Sequence, residues 1–371
     1  MQLNFATALA ELGQDAAFTF ANGVRPPAWY KFNEFLPEMN EPTYTIDSGS
    51  MTIRSAMAGL TGMDSPYPPT GVSEVSTFLE ETAKLANDVT LTEQATRRMQ
   101  IILRGMGKPD GIDFIVSEVL NFLEKVIIQS HVDAMEWLRA QALLNGAIDW
   151  TFNDQNLVID YGVPAGNILT TRTSTAAWDS TASEFWTDVR LLQSVLQYNI
   201  RALIVHPKTL TSIIDNDVNK IEMVAYSDLG NGQQSYTFRR LIGTNERLDS
   251  DFRSTIEVIA YGLEGEILDV ANPGKTILVP FMQEGKMLAV SNAARTGYRV
   301  GEGSTDDPRL NASLGYTHIA PTVEGQGQMG RWARLYTPED MPMQLRGQGV
   351  TNGLPVIEVP EKIAIASSDL T

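Results

Sequence analysis

The chain has no cysteine. That excludes disulfides and thiolate metal sites. It has three histidines, His131, His206 and His318, widely spaced along the sequence, so a histidine-built metal centre is not expected. Basic residues are in deficit: 28 Lys and Arg stand against 45 Asp and Glu, a formal net charge of −17. A dedicated nucleic-acid binder carries a basic patch, and no such run stands out. There is no uninterrupted apolar run long enough to span a bilayer, and MQLNFATALAELGQDAAF carries no basic leader. Neither a membrane span nor a secretory signal is expected, and the chain reads as a soluble, cytoplasmic product.

Catalytic patterns are missing as well. No serine sits in a G-x-S-x-G setting, so a nucleophile elbow is absent. GQGQMG at 325–330 matches G-x-G-x-x-G, but RWARLYTPED follows, which alternates like a strand. The fingerprint needs a helix there to hold a pyrophosphate, so these glycines read as a turning loop. NPGKT at 272–276 resembles the end of a phosphate loop but has Asp269 where the motif needs glycine. DNDVNK at 215–220 starts like a calcium loop, yet Lys220 and Tyr226 occupy the glycine and bidentate carboxylate positions. It reads as a solvated helix end. His131 and Asp133 face different directions on a helix, His206 reads as a hydrogen-bonded strand end, and Asp306 and Asp307 read as surface carboxylates able at most to hold a cation loosely between subunits. No catalytic, cofactor-binding or metal-binding residue is assigned.

What is present is a chain of 371 residues, 43% hydrophobic, enough for a large core and two or three domains. Residues 1–42 read as an irregular arm with a short helix around Ala6–Phe18 and prolines at 26, 27, 37 and 42. Its Trp29, Tyr30, Phe32 and Phe35 are costly to leave in water. They must pack on the chain's own domain or on another surface. Residues 43–82 read as a long polar hairpin, TYTIDSGSMTIRSA out and VSEVSTFLEE back, around a Gly- and Pro-rich tip. Such a hairpin lacks a core of its own and either projects to find support elsewhere or is a disordered surface loop. Thr92 can cap a helix carrying Ala95, Met99, Ile102, Leu103 and Met106, stopped by Gly107 and Pro109. Asp110 can cap a second, running from about Ile112 to Asn145 with Gly146 as its stop. At 1.5 Å per residue it spans roughly 50 Å. Ile115, Val119, Phe122, Val126, Met135, Leu138 and Ala142 keep a helical rhythm. Glu118, Glu124, Lys125, Asp133 and Glu136 are expected to keep part of it wet. A helix of this length that is neither a clean coiled coil nor a span reads as a spine across a sheet.

TFNDQNLVIDYGVP fits a strand pair. Thr181 and Glu184 form a capping-box pattern ahead of ASEFWTDVRLLQSVLQY. RALIVHP is a compact apolar strand, and Pro207 suits the first turn of KTLTSIID. Strands STIEVIAYG, KTILVPF and KMLAVS complete an α/β unit over 178–295. The tail from Thr296 is strand and loop: a polar excursion, GEGSTDDPRLNASLG, then WARLYTP and LPVIEVPEKIAIA. Ile363 and Ile365 share one face there, and Pro360 marks an edge or a bulge.

This order of arm, hairpin, short helix, spine helix, strand pair, inserted α/β unit and returning strands resembles the major capsid proteins of tailed bacteriophages, in particular the lambda-type major head protein family. The stretches LLNGAIDWTFNDQNLVIDYGVPAGNILT, RALIVHPKTL, NPGKTILVPFMQEGKMLAV and GRWARLYTPEDMPMQLRGQGVTNGLPVIEVPEKIAIA carry the likeness. The resemblance implies an α+β class: the tailed-phage major capsid protein fold, with a long spine helix, an extended hairpin loop and an inserted α/β domain. It implies an N-terminal arm (1–42) clasping neighbours and a hairpin (43–82) lying over an adjacent subunit. It further implies a peripheral domain holding the spine helix (83–177), an axial domain near capsomer centres (178–295) and returning strands shared by both (296–371). The implied function is a non-enzymatic shell subunit in the virion, assembled in the host cytoplasm as pentamers and hexamers into an icosahedral procapsid that expands as DNA is packaged. The alternative is an encapsulin-like compartment shell of the same fold. The implied partners are copies of itself, scaffold and portal proteins, a possible decoration protein and non-specifically contacted DNA, with no membrane and no cofactor. The acidic charge fits a surface that encloses DNA without adhering to it. Some relatives are cross-linked through lysine and asparagine, but hairpin 43–82 has no lysine and Lys84 lies just beyond it.

Overall fold

The computed structural model describes residues 26–55, 71–91, 123–152, 155–197, 199–230, 233–240, 255–268, 276–291, 314–336 and 345–370, with isolated positions between 91 and 123. The helix expected around Ala6–Phe18, the hairpin tip, the caps at Thr92 and Asp110, most of NPGKT, and Asp306 and Asp307 lie outside the described residues. Of the two helices expected between 92 and 123, Gln94, Arg97, Arg98, Ser117 and Asn121 are described and are helical.

The aromatic stretch after Pro27 folds inward. Helix α1 (Lys31–Phe35) buries Phe32 and Phe35, and Tyr30 and Leu36 join them in the main core. Each such side chain contributes about 1.5–3 kcal/mol when removed from water, which holds a short helix that could not stand alone. Of the two readings for these aromatics, packing on their own chain is the one observed for Tyr30, Phe32 and Phe35, while Trp29 stays exposed. Strand β1 (Glu38–Asn40) follows. The hairpin forms from β2 (Thr45–Ser55) and β3 (Gly71–Glu81), paired antiparallel from Thr45 opposite Glu81 to Ser55 opposite Gly71. Strand β4 (Ala83–Leu91) comes directly after it and was not anticipated. Its residues alternate: Ala83, Leu85, Asn87 and Val89 are half-buried, while Lys84, Ala86, Asp88 and Thr90 are exposed.

A π-helical turn over Leu123–Ile128 leads into α2 (Gln129–Asn145). The spine ends where expected. Gly146 sits at φ +67°, and a Cβ there would lie 2.9 Å from Val163 Cγ2. Glycine answers both constraints. One expectation fails: Glu136 is completely buried and not part of a wet face, for a reason given below. Strands β5 (Ala147–Phe152) and β6 (Gln155–Asp160) form the expected ribbon.

Helix α3 (Phe185–Val195) starts later than the capping box predicts. Glu184 is its N-cap and makes no side-chain cap bond. Its carboxylate pairs with Arg172 at 2.5 Å instead, and Ser183 Oγ accepts from the Phe185 N–H at 3.3 Å. Strand β7 (Ile200–Val205) leads to α4 (Pro207–Asp215), with Pro207 as its first residue. DNDVNK is a helix end with Asp215, Asp217, Val218 and Lys220 exposed as expected, but its two asparagines turn inward. Asn219 is buried, donating to the Trp178 carbonyl at 3.0 Å and to the Ile213 carbonyl at 2.8 Å. Asn216 donates to the carbonyls of Trp178 and Ser180. Side-chain amides thus replace backbone partners and lock the turn onto Trp178. Then come β8 (Ile221–Gly230), β9 (Gln233–Arg240), β10 (Thr255–Tyr261), β11 (Glu264–Leu268), β12 (Thr276–Pro280) and β13 (Lys286–Ser291). The tail supplies β14 (Gly315–Ala320), β15 (Trp332–Tyr336), β16 (Leu345–Ile357) and β17 (Ile363–Ser367), with Pro360 in a 3-10 turn between the last two.

Two sheets organise these elements. The larger runs β17-β13-β7-β10-β9-β8, with β7 and β10 parallel and its other pairs antiparallel. Its strands β7, β13 and β17 are buried on both faces, as the unbroken run Ala202–Val205 foretells for β7. Ala202, Ile204, Leu288, Val290, Ile363 and Ile365 join the core built on α2. Leu203, Val205, Met287, Ala289, Ala364 and Ala366 join a second core with α3 and α4. The smaller sheet centres on β16, with β4 along one edge and β14 and β15 end to end along the other; β1 adds in parallel outside β14. Its glycines let α2 come close. A Cβ on Gly349 would lie 2.6 Å from His131 Nε2, and one on Gly353 2.7 Å from Met135 Cε.

Candidate functional site

The histidines lie in three different parts of the fold. His131 on α2 is buried, with Nε2 3.0 Å from Asn87 Oδ1 on β4. Burial and the nearby Arg331 guanidinium push it down to about 4, so it is neutral near pH 7. His206 precedes α4 and its Nδ1 accepts from the Lys208 N–H at 3.2 Å, a strand-end bond of the kind expected. His318 on β14 lies 2.8 Å from the Thr43 carbonyl. Asp133 accepts from Gln129 at 2.7 Å and from the Tyr30 hydroxyl, so it is engaged away from His131. GQGQMG forms a turn with Gln326 and Gly327 at positive φ, and β15 follows instead of a helix. Among the described residues no group of three or more His, Asp or Glu could hold a metal ion. No helix among them is long and apolar enough to cross a membrane.

Sequence reasoning missed a buried charge cluster. Arg139 on α2 is wholly buried and points three ways: to Glu136 at 3.1 Å, to Glu38 on β1 at 2.8 Å, and to Thr317 Oγ1 on β14 at 2.7 Å. Arg331, just before β15, also donates to Glu38. Glu136 further accepts from the Phe32 N–H at 2.9 Å and the Tyr261 hydroxyl at 3.0 Å. Burial pushes Glu136 up, opposed by Arg139 and these donors. Burial acts on Glu38 in the same sense, but Arg331 and Arg139 more than offset it and hold it below the ordinary carboxylate range. Buried charges persist only when paired and hydrogen-bonded, and here the pairing ties α2, β1, β14 and β15 together. The available signal was spacing. Glu136 and Arg139 fall on the same helix face as Val132 and Leu143, where an unpaired charge would be prohibitive.

The surface carries features of a different kind. Lys84 and Asp88 of β4, Gln348 of β16, and Trp332 and Arg334 of β15 line an open groove of about 580 Å³ on the face of the small sheet turned away from α2. Edge strand β8 exposes Met223, Val224 and Tyr226, the last at 52%. Ribbon β11–β12 exposes Ile267, Ile277 and Leu278, the last at 62%. Apolar residues on thin ribbons and sheet edges are the kind that associating chains cover.

No family model matches the sequence, and no curated protein does. Solved structures do match in fold. One is described as a capsid protein of a prophage of Escherichia coli CFT073, with TM-score 0.56 at 12% identity over 94% of this chain and 95% of that one. A phage-related protein from Bordetella bronchiseptica aligns with TM-score 0.47 at 11% identity over 95% and 96%. The encapsulin complex of Synechococcus elongatus aligns with TM-score 0.42 at 10% identity over 92% and 88%. The fold is therefore that of a phage capsid protein: α+β, with a helix against strand-rich sheets and a two-stranded hairpin that pairs with no other strand among the described residues.

Proposed function

We propose that this chain is the major capsid protein of a tailed bacteriophage, of the lambda-type class. Its copies form pentamers and hexamers that close into an icosahedral shell around phage DNA, assembled in the host cytoplasm and retained in the virion. The observation that carries this reading is the end-to-end fold likeness to a prophage capsid protein, and the surface supports it. Among the described residues hairpin β2–β3 pairs with no other strand, and a lone two-stranded ribbon is marginal in water. Laid over a neighbouring subunit it gains support, and β8 and β11–β12 gain cover. Each contact is modest, and a closed lattice sums many of them.

In this arrangement residues 83–177 and most of 296–371 form the peripheral domain and 178–295 the axial one, with α2 forming a wall shared by both. The clasping part of the arm is the stretch ahead of Pro26, because Tyr30–Asn40 is built into its own subunit's core. Scaffold, portal and decoration proteins are the further partners this role calls for. Negative-stain electron microscopy of the purified chain, with and without the neighbouring scaffold protein, tests the proposal. Closed shells, tubes or sheets of hexamers are expected. A uniform monomer or small oligomer under every assembly condition refutes it.

A further inference from the structure

Residues 29–40 cross α2 as a strap held by the buried side chains of Tyr30, Phe32, Phe35 and Leu36 and by a set of polar contacts. Gln233 donates to the Trp29 carbonyl. The Tyr30 hydroxyl donates to Asp133 and accepts from Gln129 at 2.9 Å. The Phe32 N–H donates to Glu136, and the Leu36 carbonyl accepts from Thr317 at 2.8 Å. Glu38 receives both Arg139 and Arg331. The backbone ladder of the strap is short: β1 has three residues and lies at the edge of its sheet, in parallel pairing with β14. Its departure would leave β14, β16, β4 and β15 paired as they are.

Glu38 is the strap side chain that receives two guanidiniums. It binds α2 through Arg139 and the end of the 321–331 turn through Arg331, and it belongs to the strap itself. Charge-assisted bonds to buried guanidiniums are about twice as strong as neutral ones. Taking away that carboxylate charge leaves Arg139, which has no exposure, with one anion, Glu136, in place of two. The charged and titratable groups around the strap are Asp133, Glu136 and Arg139 from α2, Arg201 from β7, Tyr261 from β10, Glu266 from β11 and Arg331 before β15. The strap itself brings Tyr30, Lys31, Glu34 and Glu38.

We propose that residues 29–40 form a latch closed by the charge of Glu38, able to open while the six-stranded sheet and the β14–β16–β4 pairing stay intact. The segment ahead of Pro26 continues directly into this strap. Tension on that segment is therefore delivered to the strap, and Glu38 is the strap side chain that passes it to both the spine helix and the 321–331 turn. This is a property of the single chain and holds whether or not the chain builds a shell.

Hydrogen exchange read by mass spectrometry, with trypsin cleavage after Lys31, tests it on the unassembled full chain. E38Q is expected to speed exchange across residues 29–40 by about tenfold or more, the loss of roughly one charge-assisted bond. It should also open the Lys31–Phe32 bond to trypsin, with 200–205, 286–291 and 352–357 still protected. E38D keeps the charge on a shorter arm and should exchange far less than E38Q. Unchanged exchange in 29–40 overturns the latch. Simultaneous loss of protection in all segments overturns it too, since the strap is then inseparable core. Equal opening in E38D and E38Q removes charge as the cause.

Discussion

Acidification is expected to destabilise this chain through His131, well before its carboxylates are neutralised. The imidazole lies at the junction of α2, β4 and β16, is almost fully buried, and sits 3.0 Å from Asn87 Oδ1. Burial first, and Arg331 second, lower it from an ordinary 6.5 to about 4. The unfolded chain takes up a proton as pH falls through 6.5, and the folded chain does not do so until about 4. The unfolded state thus binds more protons in that window, so His131 leaves stability intact above pH 6.5 and removes it progressively down to about pH 4. A gap of that size corresponds to about 3 kcal/mol, a large share of the stability of an ordinary domain. Urea unfolding of the unassembled chain at neutral pH and near pH 4.5 measures it, with H131Q beside the wild type. The amide of H131Q keeps a partner for Asn87 and carries no titrating charge. Carboxylate contributions common to both chains cancel in the comparison. Since pH 4.5 stops short of the full shift, the wild type should lose about 2 kcal/mol more than H131Q on acidification. Parallel losses in the two chains refute the assignment.

Two further substitutions probe how the sheets and helices are joined. G315A would place a Cβ 2.0 Å from the Val356 carbonyl oxygen, a backbone atom of the paired strand. A loss of about 3 kcal/mol is expected, the upper end of overpacking, and a melting temperature within a degree or two of wild type contradicts it. Asp188 is buried and accepts from Arg172 Nε at 2.9 Å and Trp178 Nε1 at 2.9 Å. D188N removes that charge and should cost about 2–3 kcal/mol, read by thermal denaturation. Unaltered stability would mean the Arg172–Asp188–Trp178 contact is idle.

Local chemistry is legible in the amino-acid sequence. Gly146 marks the end of the spine because one position needs positive φ and room against Val163. Pro207 begins α4 because its missing N–H is no loss there. Ala202–Val205 forms a strand buried on both faces, as an unbroken apolar run implies. The order of elements along the chain carried the resemblance to capsid proteins, and the fold bears that class out. Strands β1, β4, β8, β9, β11 and β14 escaped, being short, polar or mixed in pattern and stabilised by partners elsewhere in the chain.

The sequence by itself determined periodicity, caps and turns, since these depend on neighbours a few residues apart. It also determined that no thiol chemistry operates, since the chain has no cysteine. Tertiary structure alone decided which charges go inside. Glu136 looks like a solvated helix residue until Arg139, the Phe32 N–H and the Tyr261 hydroxyl converge on it. Tertiary structure also decided that Tyr30, Phe32 and Phe35 pack in their own chain, and that β17 completes the sheet begun by β7. Burial of a charge or a ring depends on what arrives from elsewhere in the chain, and that is settled when the sheets close over α2.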